Sequence, residues 1–170
     1  MARSYTELAF AVIAVAAFLA STSVSGARVI RKATGDKFIV EGKVFCDTCQ
    51  AGFETPATTY IAGAKVRVEC KSRKTGAETC NFEGVTDETG SYKILVEDEH
   101  EHEICESVLV ESPRPECSKL LDGRERARVF LTRNNGIASD VRYANALGFV
   151  KDTPMALCGE LMKQYTEYGV

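Results

Sequence analysis

Seven cysteines stand in this 170-residue chain, at Cys46, Cys49, Cys70, Cys80, Cys105, Cys117 and Cys158, and none occurs earlier. In an oxidising compartment such a density reads as a framework of cross-links, which lets a modest core support short strands and long connections. The odd count leaves one thiol over. Choosing that thiol and pairing the other six admits roughly a hundred schemes, so spacing alone leaves the pairing open.

The N-terminal residues indicate the compartment. Arg3 precedes the uninterrupted apolar run from Leu8 to Ala20, and small residues follow from Ser21 to Ala27. That is the order of a secretory signal peptide. About thirteen apolar residues reach only ~20 Å as a helix, short of the ~30 Å hydrocarbon core, so cleavage is expected rather than a permanent span. The expected division is a signal peptide at 1–26 and one domain at 27–170, with no later segment apolar enough to cross a bilayer. Removing 1–26 takes away Arg3 and Glu7 together, so the net charge stays at −3. This balance gives no electrostatic case for nucleic acid or an anionic membrane as partner. The remainder is the size of one ordinary domain, and no linker, repeat or low-complexity tract divides it.

Alternation within the domain is that of strands. Phe38, Val40, Gly42 and Val44 share one face of the first, with a small residue in the middle. Ala64, Val66, Val68 and Cys70 alternate without error against Lys65, Arg67 and Glu69. Asp87-Glu-Thr-Gly90 predicts a tight turn, as a hairpin or a short connection, before a strand carrying Tyr92, Ile94 and Val96. Two more short strands fall at 104–110 and 127–132. Near the end, Thr153 can cap a helix with Pro154 in its first position and Leu157, Leu161 and Tyr165 along one side. Cys158 on that helix offers a disulfide to the sheet. The expected fold is mainly β: a disulfide-stapled antiparallel sandwich or small barrel of about seven strands with one short C-terminal helix.

Few residues suggest chemistry. Cys46-Asp-Thr-Cys49 has the spacing of a redox pair or half a zinc site. A redox pair needs a helix start after a strand to lower a thiol pKa, and zinc needs a second close pair, whereas the other cysteines stand singly. Separate structural disulfides are the better expectation. The run 97–103 places five acids around His100 and His102, the only histidines; it reads as a solvated, charge-rich hairpin loop in preference to a divalent-cation site. An exposed loop tip is a poor home for a catalytic imidazole, so no enzyme and no cofactor are expected. Arg124, Arg126 and Arg128 are interleaved with Asp122 and Glu125, as in a salt-bridged edge. Asn134-Asn-Gly136 reads as a turn, and no asparagine stands in a glycosylation sequon.

The stretch Val40-Glu-Gly-Lys-Val-Phe-Cys-Asp-Thr-Cys-Gln-Ala-Gly-Phe53 resembles the signature of the olive major pollen allergen family, the Ole e 1-like secreted plant proteins. The resemblance extends through Gly63–Cys70, Gly84–Tyr92, Ile104-Cys-Glu106, Ser112–Cys117 and Tyr143-Ala-Asn-Ala-Leu-Gly-Phe149. It departs at Phe45 and Gln50, where the motif more often has Tyr and Arg, and in lacking the sequon found in many members.

The resemblance implies three pairs, Cys46 to Cys117, Cys49 to Cys158 and Cys70 to Cys105, with Cys80 left without a family partner. In the loop-entropy model such bridges stabilise by roughly 4–5 kcal/mol each as separate upper limits. It further implies a pollen protein outside the cell, in the wall or at the pollen-tube exterior, acting in hydration, germination or tube growth. Its partner would be a surface receptor or wall component, and IgE in sensitised people. Two alternatives remain on sequence grounds. One is a protease inhibitor offering Arg73 or Lys74 to a trypsin-like pocket, the other a thiol-active enzyme using Cys46 and Cys49.

Overall fold

The computed structural model describes residues 36–167; the expected signal peptide lies outside the described residues. Ten strands run β1 (Lys37–Asp47), β2 (Thr59–Tyr60), β3 (Lys65–Ser72), β4 (Glu78–Val85), β5 (Ser91–Glu97), β6 (Glu103–Glu111), β7 (Lys119–Leu120), β8 (Arg126–Val129), β9 (Val141–Tyr143) and β10 (Leu147–Val150). A 3₁₀ turn, Pro115–Cys117, precedes β7, and the helix α1 (Cys158–Glu167) closes the order among the described residues.

The strands form two sheets. One has the order β4-β3-β6-β8 and is antiparallel throughout. The other is built on β1, whose first half pairs with β5 and β9 and whose second half pairs with β10 and β2. Both β9 and β10 run parallel to β1, a direction that alternation along a single strand does not encode. One core lies between the sheets, with Phe38, Val40 and Val44 of β1 and Tyr92, Ile94 and Val96 of β5 buried together with Val66, Val68 and Cys70 of β3. The alternating residues named from sequence on β3 and β5 are the inward ones.

The segment Asp87–Gly90 carries the chain from β4 in one sheet to β5 in the other, so it is a turn between layers and not a hairpin. Asp87 Oδ1 accepts from the Thr89 and Ser91 amides, and Gly90 takes φ +73° against Val44 and Ile61, where a Cβ would collide. The 97–103 connection also crosses between sheets, which overturns the hairpin expected there. It draws His100 inward: the His100 amide donates to Leu131 O, and the imidazole side chain is only 10% exposed.

Helix α1 starts at Cys158, four residues beyond Pro154. Residues 155–158 instead make a turn, with the Met155 amide donating to Thr48 O and the Cys158 amide to Met155 O. The Met155 amide, which a Thr153 cap would have received in a helix from Pro154, is taken by the Thr48 carbonyl. Tyr165 packs edge-on against Phe53, ring centroids 5.2 Å apart.

Candidate functional site: a clamped scaffold and an aromatic face

At the end of β1, the buried carboxylate of Asp47 accepts the amides of Cys49 (3.1 Å) and Gly52 (2.7 Å). Thr48 Oγ1 donates to Ala57 O at 2.8 Å, and Gln50 adopts φ +54°. This local turn sends the two neighbouring sulfurs apart. Cys46 is bonded to Cys117 on the 3₁₀ turn and Cys49 to Cys158 at the start of α1, with Cα separations of 6.1 and 5.3 Å. With each sulfur joined to a distant partner, Cys46 and Cys49 form neither a vicinal redox pair nor half a zinc site. The thiol-active alternative therefore has no dithiol centre at these residues.

A third bond joins Cys70 on β3 to Cys105 on β6, directly opposed in register. His100 and Glu103 lie against it, and the four donor atoms fall within 4.8 Å of one another. Since the two sulfurs are bonded to each other, and His100 Nδ1 is 2.6 Å from Glu103 Oε2, the donors satisfy one another and leave no open ligand set. Cys80, on β4, is the one free cysteine and is half-buried against the core.

The β3–β4 turn, which carries the Arg73 and Lys74 of the inhibitor alternative, is closed by Gly76 N–H to Ser72 O and Ser72 N–H to Ala77 O. Arg73 Nε is turned back toward Glu103 O. This tight turn holds Arg73 against the domain's own backbone. The arginine cluster at 124–128 lies on the edge strand β8 and the turn before it, where Arg126 pairs with Glu106 at 2.7 Å.

The most open aromatic surface comes from residues that the sequence pattern did not single out. Tyr143 is 78% exposed, Phe130 58% and Ile137 48%. Tyr143 stands between two shallow clefts of about 310 Å³ each. Phe130, Ile137 and Arg128 line one, and Glu41, Ser91 and Lys93 line the other. Across β9-β1-β5 the register aligns Tyr143 with Glu41 and Glu41 with Lys93, and the last two form an ion pair at 2.8 Å. The Arg128 guanidinium lies 5.8 Å from the centre of the Phe130 ring.

Arg142 holds this face in place. Between exposed Tyr143 and half-buried Val141 it points inward, only 3% exposed, and donates to the carbonyls of Phe130, Thr132, Ser139 and Val141. Its guanidinium also lies 4.8 Å over the Phe38 ring. Burial, with Arg133 nearby, lowers its pKa, and the carbonyls and the ring face take the place of a carboxylate. The one available signal in the sequence was the triplet Val-Arg-Tyr itself, in which alternation places the arginine opposite its neighbours.

The family model described as Pollen protein Ole e 1 like matches residues 36–166. Pollen-specific protein C13 of Zea mays is 52% identical over 127 residues, covering 75% of each chain. Pollen allergen Sal k 5.0101 of Kali turgidum is 46% identical over 134 residues, 77% of this chain and 89% of its own. Anther-specific protein LAT52 of Solanum lycopersicum is 44% identical over 127 residues, 75% of this chain and 79% of its own. Among solved structures, the major plantain pollen allergen Pla l 1 superposes with a TM-score of 0.64 at 31% identity, covering 70% of this chain and 97% of that one.

Proposed function

The chain belongs to the Ole e 1-like family of pollen proteins, and from that premise we propose that it acts outside the cell as a non-enzymatic binding protein of pollen. In this reading the chain is exported by cleavage of residues 1–26. The cross-linked sheets then present the face around Tyr143, Phe130 and Ile137 to a surface receptor or wall component during hydration, germination or tube growth. The observation that carries the reading is this aromatic face, anchored by Arg142 on a scaffold clamped by three disulfides. Exposed aromatic rings flanked by charged groups are the usual energetic centres of recognition surfaces.

Among the described residues no helix is long and apolar enough to cross a membrane, which is compatible with a released protein. Relatives described as pollen allergens support IgE as a partner in sensitised people. The test compares the native domain with a Tyr143→Ser/Phe130→Ser variant in binding to isolated pollen-tube plasma membrane and to cell-wall material. A loss of ten-fold or more in binding, with an unchanged unfolding midpoint, supports the proposal. Equal binding by the variant removes the role of this face, and no binding by either protein removes the function.

A further inference from the structure

The three disulfides take up six cysteines and leave Cys80. Its position is specific: on β4 it pairs directly with Cys70 on β3, and Cys70 in turn pairs directly with Cys105 on β6. Directly opposed residues of antiparallel strands share a face. Cys80, Cys70 and Cys105 therefore stand in one row across three adjacent strands, all turned toward the core. Thr79, the residue before Cys80, donates its Oγ1 to the Cys70 carbonyl at 3.0 Å, which ties β4 to β3 beside this row. Neighbouring strands are ~4.8 Å apart and opposed Cβ atoms ~5 Å apart, close to what a disulfide needs.

We propose that Cys80 is an internal exchange thiol, so that the Cys70–Cys105 bridge interconverts with a Cys70–Cys80 bridge in the folded protein. The Cys80 thiolate attacks Cys70 Sγ, a new S–S bond forms as the old one breaks, and the electron pair leaves on the Cys105 sulfur. The proton lost from Cys80 to solvent is matched by one gained at Cys105, and no electrons enter or leave the chain. The order of the strands puts the attacking residue and the leaving residue on opposite sides of Cys70, as displacement at sulfur requires. His100 and Glu103, within 4.8 Å of both bridged sulfurs, stand where the proton is taken up. The exchange moves the staple from β3–β6 to β3–β4 and leaves the free thiol on β6.

The surroundings make the exchange slow at neutral pH. Burial pushes the Cys80 thiol up to about 11, the Cys70 backbone hydrogen bond opposes this, and the charges of Glu103 on β6 and Glu78 on β4 add to the rise. At pH 7 on the order of one molecule in ten thousand then carries the thiolate. The rate should climb about ten-fold per pH unit below that value.

The test incubates the native, disulfide-intact protein anaerobically at pH 7, 8 and 9 with no added thiol. Samples are quenched with acid, alkylated with N-ethylmaleimide and mapped as nonreduced peptides. The expected result is a Cys70–Cys80 peptide with alkylated Cys105, formed at a rate that rises about ten-fold per pH unit. That rate should be independent of protein concentration, and the product should be absent from Cys80→Ser. A Cys105→Ser variant should hold the Cys70–Cys80 bond while folded. Cys80 remaining the sole alkylated cysteine throughout, a rate proportional to protein concentration, or a folded Cys105→Ser protein lacking the new bond would each overturn the proposal.

Discussion

Tyr92 lays its phenol ring across the backbone of Gly42, its directly paired neighbour on β1, so closely that a Cβ there would meet the ring Cζ at 2.6 Å. The glycine is what lets a buried tyrosine lie flat inside the sheet. Gly42→Ala should therefore destabilise the domain by about 1–3 kcal/mol through overpacking. In a Tyr92→Leu background the same change should cost much less. Urea unfolding of the four proteins of this cycle measures the coupling directly.

Burial also raises the Tyr92 phenol, to about 12, with Ser107 the nearby group that works against the rise. The hydroxyls of Tyr92 and Ser107 are both buried and lack a well-formed partner. A folded-state pKa raised above the ordinary 10 means that the fold holds this proton more tightly. The stability it contributes is full below pH 10 and is lost as pH rises toward 12, at most about 3 kcal/mol. Unfolding midpoints between pH 9 and 12 should fall steeply for the native chain and less so for Tyr92→Phe.

Replacing Arg142 should be more damaging than its position beside the exposed Tyr143 suggests. Arg142→Ala leaves four carbonyls without their donor, and Arg142→Lys cannot reproduce the planar fork that serves them. A loss of about 2–4 kcal/mol is expected for alanine and most of that for lysine. Faster amide exchange across residues 130–143 would locate the damage.

Cutting the Cys49–Cys158 bridge by a double change to alanine should release α1 while leaving the sheets closed. The bridge closes a separation of 109 residues, for which loop entropy gives at most about 4–5 kcal/mol. Beyond this bridge the helix has little buried surface, since Cys158 is its sole buried residue. Hydrogen exchange should show protection lost over Cys158–Glu167 and retained over β3 and β6.

Much of this protein is legible in its sequence. Alternation at Ala64–Cys70 and Tyr92–Val96 fixed which side chains face inward, because a strand turns its side chains over with period two whatever its neighbours are. The motif around Cys46 and Cys49, with the blocks that follow it, identified the family. What alternation could not supply was pairing. That β9 and β10 run parallel to β1, that Asp87–Gly90 and the histidine-bearing loop cross between sheets, and that Cys80, Cys70 and Cys105 align are relations between distant segments. Arg142 shows the same limit at a single residue: alternation in Val-Arg-Tyr sets it opposite its neighbours, but nothing local says which side is buried. The carbonyls of Phe130, Thr132, Ser139 and Val141 and the face of the Phe38 ring, gathered from several segments, make its burial tolerable. Local sterics and hydrophobicity act within a few residues and are written in order along the chain. Register, strand direction and the satisfaction of buried charge depend on contacts that exist only once the chain has closed on itself.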